Sequence, residues 1–374
     1  MSVSPDVIVV GAGIVGCALA AFLAEDGASV RLLERDGIAA GASGRNSGIV
    51  QHPMESALVP LFEETVALYR ELEGFALPAE PNGVLVLSEA PDALDAELAA
   101  LQAAFPELRA ERLAPGRPAE LEPLLAPGLA GLRLQTGYAV PPAAATGAFA
   151  ARARAAGAEL RLGAPARLDA LGPCGAVVVA AGPWTPELVD PSGAWRPIAP
   201  LWGVNLELAL PAPPRHALEE AGIEALVANG GEALPIFSLV TAAGVSSLGS
   251  TFLPERPDPA ALAPALVARG ARYVPALAGA AVRSARVCAR PLSDDGRPLL
   301  GRAPGRADVF VAAGHGPWGI SLGPASARRV ADLVLGREAD LPDTFDPGRF
   351  GRVTSPKASA RNEQLAWQAK PLSG

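Results

Sequence analysis

Lysine is almost missing from this chain of 374 residues. Lys357 and Lys370 are the only two, so 31 − 2 = 29 of the basic residues are arginines. That skew, with abundant Ala, Gly and Pro, reads as genome composition rather than function. The basic residues are outnumbered by 39 acids, giving a net charge of −8, and they form no block. The chain is therefore a poor candidate for binding nucleic acid or an anionic membrane surface. Cysteine is scarce as well. Cys17, Cys174 and Cys288 lie far apart with no CxxC spacing, which argues against a disulfide framework and against structural zinc. Three histidines cannot make a His-rich metal site, and no metal is expected. No apolar run reaches the about 20 residues of a spanning helix. The apolar start of the chain opens on Asp6 and is broken by glycines in fixed register, so it reads as a strand and a turn rather than a signal peptide. The expected compartment is a reducing cytoplasm.

What is present is a large apolar fraction, 50%, enough for a sizeable core and too much for a disordered chain. The length suggests two domains or one large α/β unit. Val7 to Val10 reads as a buried parallel strand. Gly11, Gly13 and Gly16 follow as G-A-G-I-V-G, then a helical stretch Cys17 to Ala24, then a second strand Val30 to Leu33 ending at Glu34. Gly11 allows the tight turn, Gly13 lets a pyrophosphate approach the backbone, and Gly16 lets helix and strand pack closely. Ile14 and Val15 stand within this glycine turn as candidate cofactor contacts, and the N-terminus of the helix after it faces the phosphates with unpaired N–H groups. Glu34, 18 residues after Gly16, stands where ribose hydroxyls need an acceptor. Cys17 is a small packing residue of this helix. The next segment, Gly41 to Gly48 (G-A-S-G-R-N-S-G), has no apolar period. Its small residues, Ala42 among them, permit close backbone approach, and Ser43, Arg45, Asn46 and Ser47 offer donors.

These residues resemble the D-amino acid oxidase-like (DAO) flavoproteins, which include glycine oxidase, sarcosine oxidase and D-amino acid dehydrogenases. Four stretches carry the likeness: the glycine unit with Glu34-Arg35, the loop Gly41 to Gly48, V-V-V-A-A-G-P-W (Val177 to Trp184), and R-P-L-S-D-D-G-R-P-L-L-G (Arg290 to Gly301) with F-V-A-A-G-H-G-P-W-G-I (Phe310 to Ile320). Weaker echoes are Glu122-Pro123, Gly137 to Pro141 and Phe345 to Phe350. The resemblance implies FAD as cofactor. It places the second and third stretches along the dinucleotide, with Ala166, Ala181, Gly182 and Trp184 among its contacts. The strand Asp308 to Ala313, the turn Gly314, Gly316, Pro317 and Gly319, then Ile320 and a helix from about Pro324 to Leu335, would carry the flavin ring. The helix N-terminus would stabilise negative charge there. His315 and Trp318 flank this turn as candidate catalytic residues. His52, directly after the flavin loop, is a candidate for proton transfer or a turn cap. Arg290 is implied to grip a substrate carboxylate, for which a guanidinium is suited by its bidentate geometry; an ion pair with Asp294 or Asp295 is the competing reading. Cys288 matches the position of a covalent flavin link in sarcosine oxidase-type members, but its context favours a packing thiol and non-covalent FAD.

The likeness has gaps. The turn reads Gly316-Pro317-Trp318, with no second basic residue, and Tyr69, Tyr138 and Tyr273 have no equivalent context in the family. The stretch Arg161 to Gly175 is too short for the small β-meander of relatives. The expected fold is α/β: a Rossmann-like FAD-binding domain in pieces (1–54, 137–195, 285–350), interleaved with an α+β substrate domain (55–136, 196–284) carrying a mainly antiparallel sheet, and a polar tail, 351–374. Strands are expected at Gly83 to Leu87, Leu201 to Leu208, Ala233 to Val240 and Val245 to Phe252, and helices near Pro60 and from Ala93 to Ala104. Leu201 to Asn205, Gln51-His52 and Ser250-Thr251 are candidates to line the pocket, and His216 is expected to be solvated. The implied activity is oxidation of a C–N bond in a small carboxylate-bearing amine by hydride transfer to flavin N5. The imine then hydrolyses, and oxygen or another acceptor takes the electrons. Oxidation of a 2-hydroxy acid and a non-catalytic flavin-binding subunit are the alternatives. Homo-oligomerisation and an electron-accepting partner are compatible with the chain.

Overall fold

The computed structural model describes residues 4–222 and 235–351. The chain opens with β1 (Val7–Val10), α1 (Ile14–Glu25), β2 (Val30–Leu33), the short α2 (Ala42–Arg45), β3 (Ile49–Val50) and α3 (Val59–Arg70). There follow β4 (Val84–Ser88), α4 (Ala93–Ala104), β5 (Ala110–Leu113), α5 (Arg117–Leu121), β6 (Ala130–Leu134), β7 (Tyr138–Ala139), α6 (Ala144–Ala155), β8 (Glu159–Arg161), β9 (Ala176–Val179) and α7 (Thr185–Val189). The remainder is β10 (Ile198–Leu208), β11 (Ala217–Glu220), β12 (Ser238–Ala242), β13 (Val245–Gly249), α8 (Pro259–Tyr273), β14 (Val282–Ser293), β15 (Leu299–Arg302), β16 (Val309–Ala313) and α9 (Gly319–Val334).

Two sheets dominate. The first runs β15-β16-β9-β1-β2-β8 and is parallel except for the β15–β16 pair. Successive side chains of a strand point to opposite faces, and both faces here are apolar. Val7, Val9, Val178 and Phe310 pack under α1, α6 and α9. Ile8, Val10, Val177, Val179 and Val311 pack on Val189, Trp195 and Ile198. Burial on both sides is why these strands read as unbroken β-branched runs. The second sheet runs β14-β10-β13-β12-β11-β4-β6-β5 and is antiparallel except for β11–β4. One face of it, with Val204, Leu206, Leu218, Leu239 and Leu248, is buried under α8. Between Arg161 and Gly175 only a 3₁₀ turn forms, Leu168–Ala170, as the short spacing suggests.

Three features differ from expectation. The strand bearing Arg290 belongs to the second sheet, not with the residues that follow it, because β14 pairs with β10 along its whole length. Helix α9 starts at Gly319, so Pro324 lies inside it. His216 is not solvated: its backbone N–H and its Nδ1 both meet Glu122 Oε1, at 2.9 and 2.6 Å. Burial alone would raise the Glu122 carboxyl, but hydrogen bonds from His216 and Arg215 hold it below its ordinary value. The tail from 352 and residues 233–234 of one expected strand lie outside the described residues.

Candidate active site

A cleft of about 570 Å³ runs from the first βα turn to the exposed edge of β14. The turn is built by absent side chains. Gly11 has φ +107°, and a Cβ on it would stand 2.5 Å from the Ala180 carbonyl oxygen. A Cβ on Gly16 would stand 1.9 Å from the Gly11 oxygen, so Gly16 serves helix packing and does not line the cleft. Gly13 does line it, capping α1 with no side chain of its own. No acidic residue sits in the first turn of α1, so the helix end keeps its partial positive charge for a phosphate. Glu34 accepts N–H groups from Ala12 on Oε2 (2.7 Å) and from Asp36 on Oε1 (2.8 Å). Each oxygen retains a lone pair for a ribose hydroxyl. The Arg35 guanidinium lies 4.8 Å from the centroid of Trp184, and Ala166, Ala181 and Gly182 complete this end of the cleft. A glycine cradle, a bare helix terminus and a ribose acceptor in sequence are the set that an adenine dinucleotide requires, so the residues fit FAD.

The loop after Gly41 is tied down at both ends of Arg45. Its Nη1 donates to the Val287 carbonyl (3.2 Å), and its own carbonyl accepts from Asn205 Nδ2 (3.3 Å). Ser43 Oγ accepts the Ile14 N–H at 2.9 Å. Asn46 turns inward, donating to the Ala42 and Ser43 carbonyls and accepting the Gly48 N–H. Ala42, Ser43, Arg45 and Asn46 line the cleft; Ser47 and Gly48 do not. Gly48 (φ +85°) is instead needed for close approach to Val140, whose oxygen would lie 2.3 Å from a Cβ there.

At the far end the Gly316–Trp318 turn leads into α9, again with no acid in the first turn. Gly316, Pro317, Gly319 and Ile320 line the cleft. Gly314 only makes the bend, at φ +83°. Two candidates need correction here. Trp318 does not line the cleft; it packs on the apolar core shared by α1 and α9. His315 does line it, but is 2% exposed, with Nε2 3.0 Å from Ser326 Oγ. That hydroxyl donates onward to the Leu322 carbonyl. Burial holds the His315 pKa down at about 4, so the imidazole is neutral and cannot trade protons at ordinary pH. His52 is removed from the cleft altogether. It sits edge-on between Phe62 and Phe105, at 5.5 and 5.0 Å, with Glu107 Oε1 3.6 Å from Nε2.

Arg290 occupies the other wall. Nη1 donates to the Thr251 carbonyl (2.9 Å) and Nη2 to Ser250 Oγ (2.7 Å). The guanidinium lies 4.4 Å from the Phe252 centroid and directly over bare Gly203, where a Cβ would fall 2.5 Å from both terminal nitrogens. Burial lowers its pKa, yet arginine stays charged in proteins. No carboxylate pairs with it among the described residues. Asp295, one of its expected partners, is taken by Arg349 at 2.8 and 3.0 Å. Cys288 also faces the cleft, 3% exposed, its thiol pKa raised by burial against the pull of Arg290, Arg286 and Arg45. Sequence reasoning missed Arg256, which lines the cleft 5.7 Å over the Trp202 ring from a loop that carries no motif. No group of three or more His, Cys, Asp or Glu suited to a metal occurs among the described residues, and none of their helices is long and apolar enough to cross a membrane.

The comparisons with known proteins agree with this geometry. The chain is 30% identical to the glycine oxidase of Geobacillus kaustophilus over 366 residues, covering 89% of this chain and 93% of that one. The crystal structure of glycine oxidase from the same organism superposes with a TM-score of 0.80 at 27% identity, over 93% of this chain and 99% of the other. A D-amino acid dehydrogenase of Cereibacter sphaeroides matches at 29% over 194 residues, half of this chain and 41% of that one. The profile of the DAO family, FAD dependent oxidoreductase, matches residues 6–333, and the chain belongs to that family.

Proposed function

We propose that the protein oxidises the C–N bond of a small amine or amino acid that bears a carboxylate. The observation that carries the reading is Arg290. It is a charged, half-buried guanidinium on the cleft wall, oriented by Ser250, Thr251 and Phe252, with no carboxylate as counter-ion among the described residues. A substrate carboxylate supplies that charge and is fixed in position and direction by the fork. Such anchoring presents one C–H bond to the cofactor face and holds it there, which is where most of the rate gain of such a site lies. Bound FAD supplies a two-electron acceptor for the hydride. Neutral His315 shapes the turn that lines the cleft, and the start of α9 favours negative charge beside that turn. The glycine oxidase likeness supports an amine over a hydroxy acid, and non-covalent FAD is proposed from the buried Cys288.

The test is anaerobic bleaching of the FAD-loaded protein by paired amino and hydroxy acids. Glycine, sarcosine, alanine and proline are expected to reduce the flavin, and glycolate and lactate are not. The reverse pattern would move the assignment to a 2-hydroxy acid dehydrogenase, and no reduction by any of them to a flavin-binding subunit. Arg290→Lys keeps the charge but loses the fork, and is expected to lower kcat/KM roughly 10²-fold, with Arg290→Ala lower still.

A further inference from the structure

The second sheet turns a polar row toward the flavin loop. Its register sets Arg286, Asn205, Gly249, Ser238 and Glu219 side by side across β14, β10, β13, β12 and β11. Residues directly paired project from one face, and Arg290, four positions beyond Arg286, shares it. Over bare Gly249 two polar atoms converge: a Cβ there would meet Asn205 Oδ1 at 2.3 Å and Ser238 Oγ at 3.1 Å. Asn205 and Gln51 are 1% and 7% exposed, and Asn205 Oδ1 and Gln51 Oε1 have no hydrogen-bond partner among the described residues. At the far end Glu219 has the Gln51 amide and the Glu97 carboxyl of α4 as neighbours, and no ion pair among the described residues. Glu220, one position on, is neutralised by Arg269 at 2.7 Å. The row's own cation, Arg286, is paired with Glu207 at 3.4 Å; Arg290 beyond it has no anion, and Glu219 at the far end no cation, among the described residues.

We infer that this row is the selecting floor of the substrate site, and that Glu219 receives a second, positively charged nitrogen on the substrate. The substrate class is then a basic amino acid, or an amine with a carboxylate at one end and an ammonium group at the other. The inference rests on the reading of Arg290 as carboxylate anchor. β10 and β11 are three strand spacings apart, about 14 Å. The Arg290 side chain crosses the first spacing to reach Ser250 beside β13, leaving roughly 10 Å. That span suits a chain of ornithine or lysine length and is too long for the α-amino group of glycine. Asn205 and Gln51 offer acceptors along the way. A buried carboxylate without a cation is costly to ionise. Burial accordingly pushes the Glu219 pKa up to about 7, Glu97 adding to the rise and Gln51 opposing it. Glu97 is itself raised by burial, against a hydrogen bond from the Gly222 N–H. A substrate ammonium group supplies the missing charge.

The experiment compares flavin reduction in the FAD-loaded protein by ornithine and lysine with that by norvaline and norleucine, both enantiomers of each, in wild type and Glu219→Gln. The wild type is expected to favour the basic member of each pair at least 10-fold in kcat/KM, more so at pH 8 than at pH 6, and E219Q to lose that preference. Equal or better use of the neutral amino acids by the wild type, or an unchanged ratio in E219Q, overturns the inference and leaves the Arg290 reading standing. Failure of every amino acid to reduce the flavin overturns both. The wild-type ratio decides the matter alone if E219Q does not fold.

Discussion

At the scale of the residue, chemistry here is set by which partners a side chain lacks. Arg290 and Cys288 lie two residues apart on one strand face and meet opposite fates. The guanidinium keeps its charge because its delocalised cation is far too weak an acid to lose a proton near neutral pH, whereas the thiol, pushed up by burial, stays protonated. His315 shows burial acting on a titratable ring. Its folded pKa of about 4 lies below the ordinary 6.5, so the unfolded chain binds the proton first. The stability that neutral His315 contributes is complete above pH 6.5 and is lost as pH falls from there toward about 4. In wild type that loss is expected to reach on the order of 3 kcal/mol by pH 4. His315→Asn is expected to flatten the fall. Denaturant midpoints measured at pH 7, 5.5 and 4.5 for both proteins check this, and parallel pH curves would contradict it.

At the scale of the element, α9 is the instructive case. Pro324 inside a helix removes the N–H that the Ile320 carbonyl, four residues earlier, would accept. That carbonyl is taken instead by the Tyr69 hydroxyl of α3 at 2.7 Å, and the Ala325 N–H goes to Thr65 Oγ1 at 3.2 Å. Two side chains of one helix therefore repair the proline break of the other, one turn from the Gly316–Trp318 bend that faces the cleft. Tyr69 is fully buried, and Tyr69→Phe leaves a buried carbonyl without a donor. The expected cost is about 1–3 kcal/mol, read by chemical unfolding. Because Ile320 lines the cleft, weaker FAD binding is expected with it.

At the scale of the whole molecule, the cleft lies where one sheet's βα turns meet the other sheet's edge strand. FAD bridging them is expected to stabilise the fold by mass action, about 2.7 kcal/mol at a hundredfold excess over Kd. Thermal unfolding with increasing FAD measures this directly. Since Cys288 is buried with a raised pKa, the flavin is expected to pass into the supernatant on acid precipitation. Colour retained in the pellet would instead show a covalent bond.

The glycine unit, Glu34 and the loop Gly41 to Gly48 were legible in the sequence because each depends on local backbone geometry or on a contiguous motif; Arg290 stood out by its motif, but the sheet that carries it did not. Strand and helix positions were legible for the same reason, through burial on one or two faces. Three things depended on tertiary structure. His52, His315 and Trp318 had motif positions, but only packing shows that one is caged by phenylalanines, one neutralised and one turned into the core. Arg256 reaches the cleft from an unmarked loop. The row from Asn205 to Glu219 joins residues far apart in the chain through strand register, which no local pattern encodes: hydrophobic alternation says which face a residue takes, and only the pairing of strands says what stands beside it.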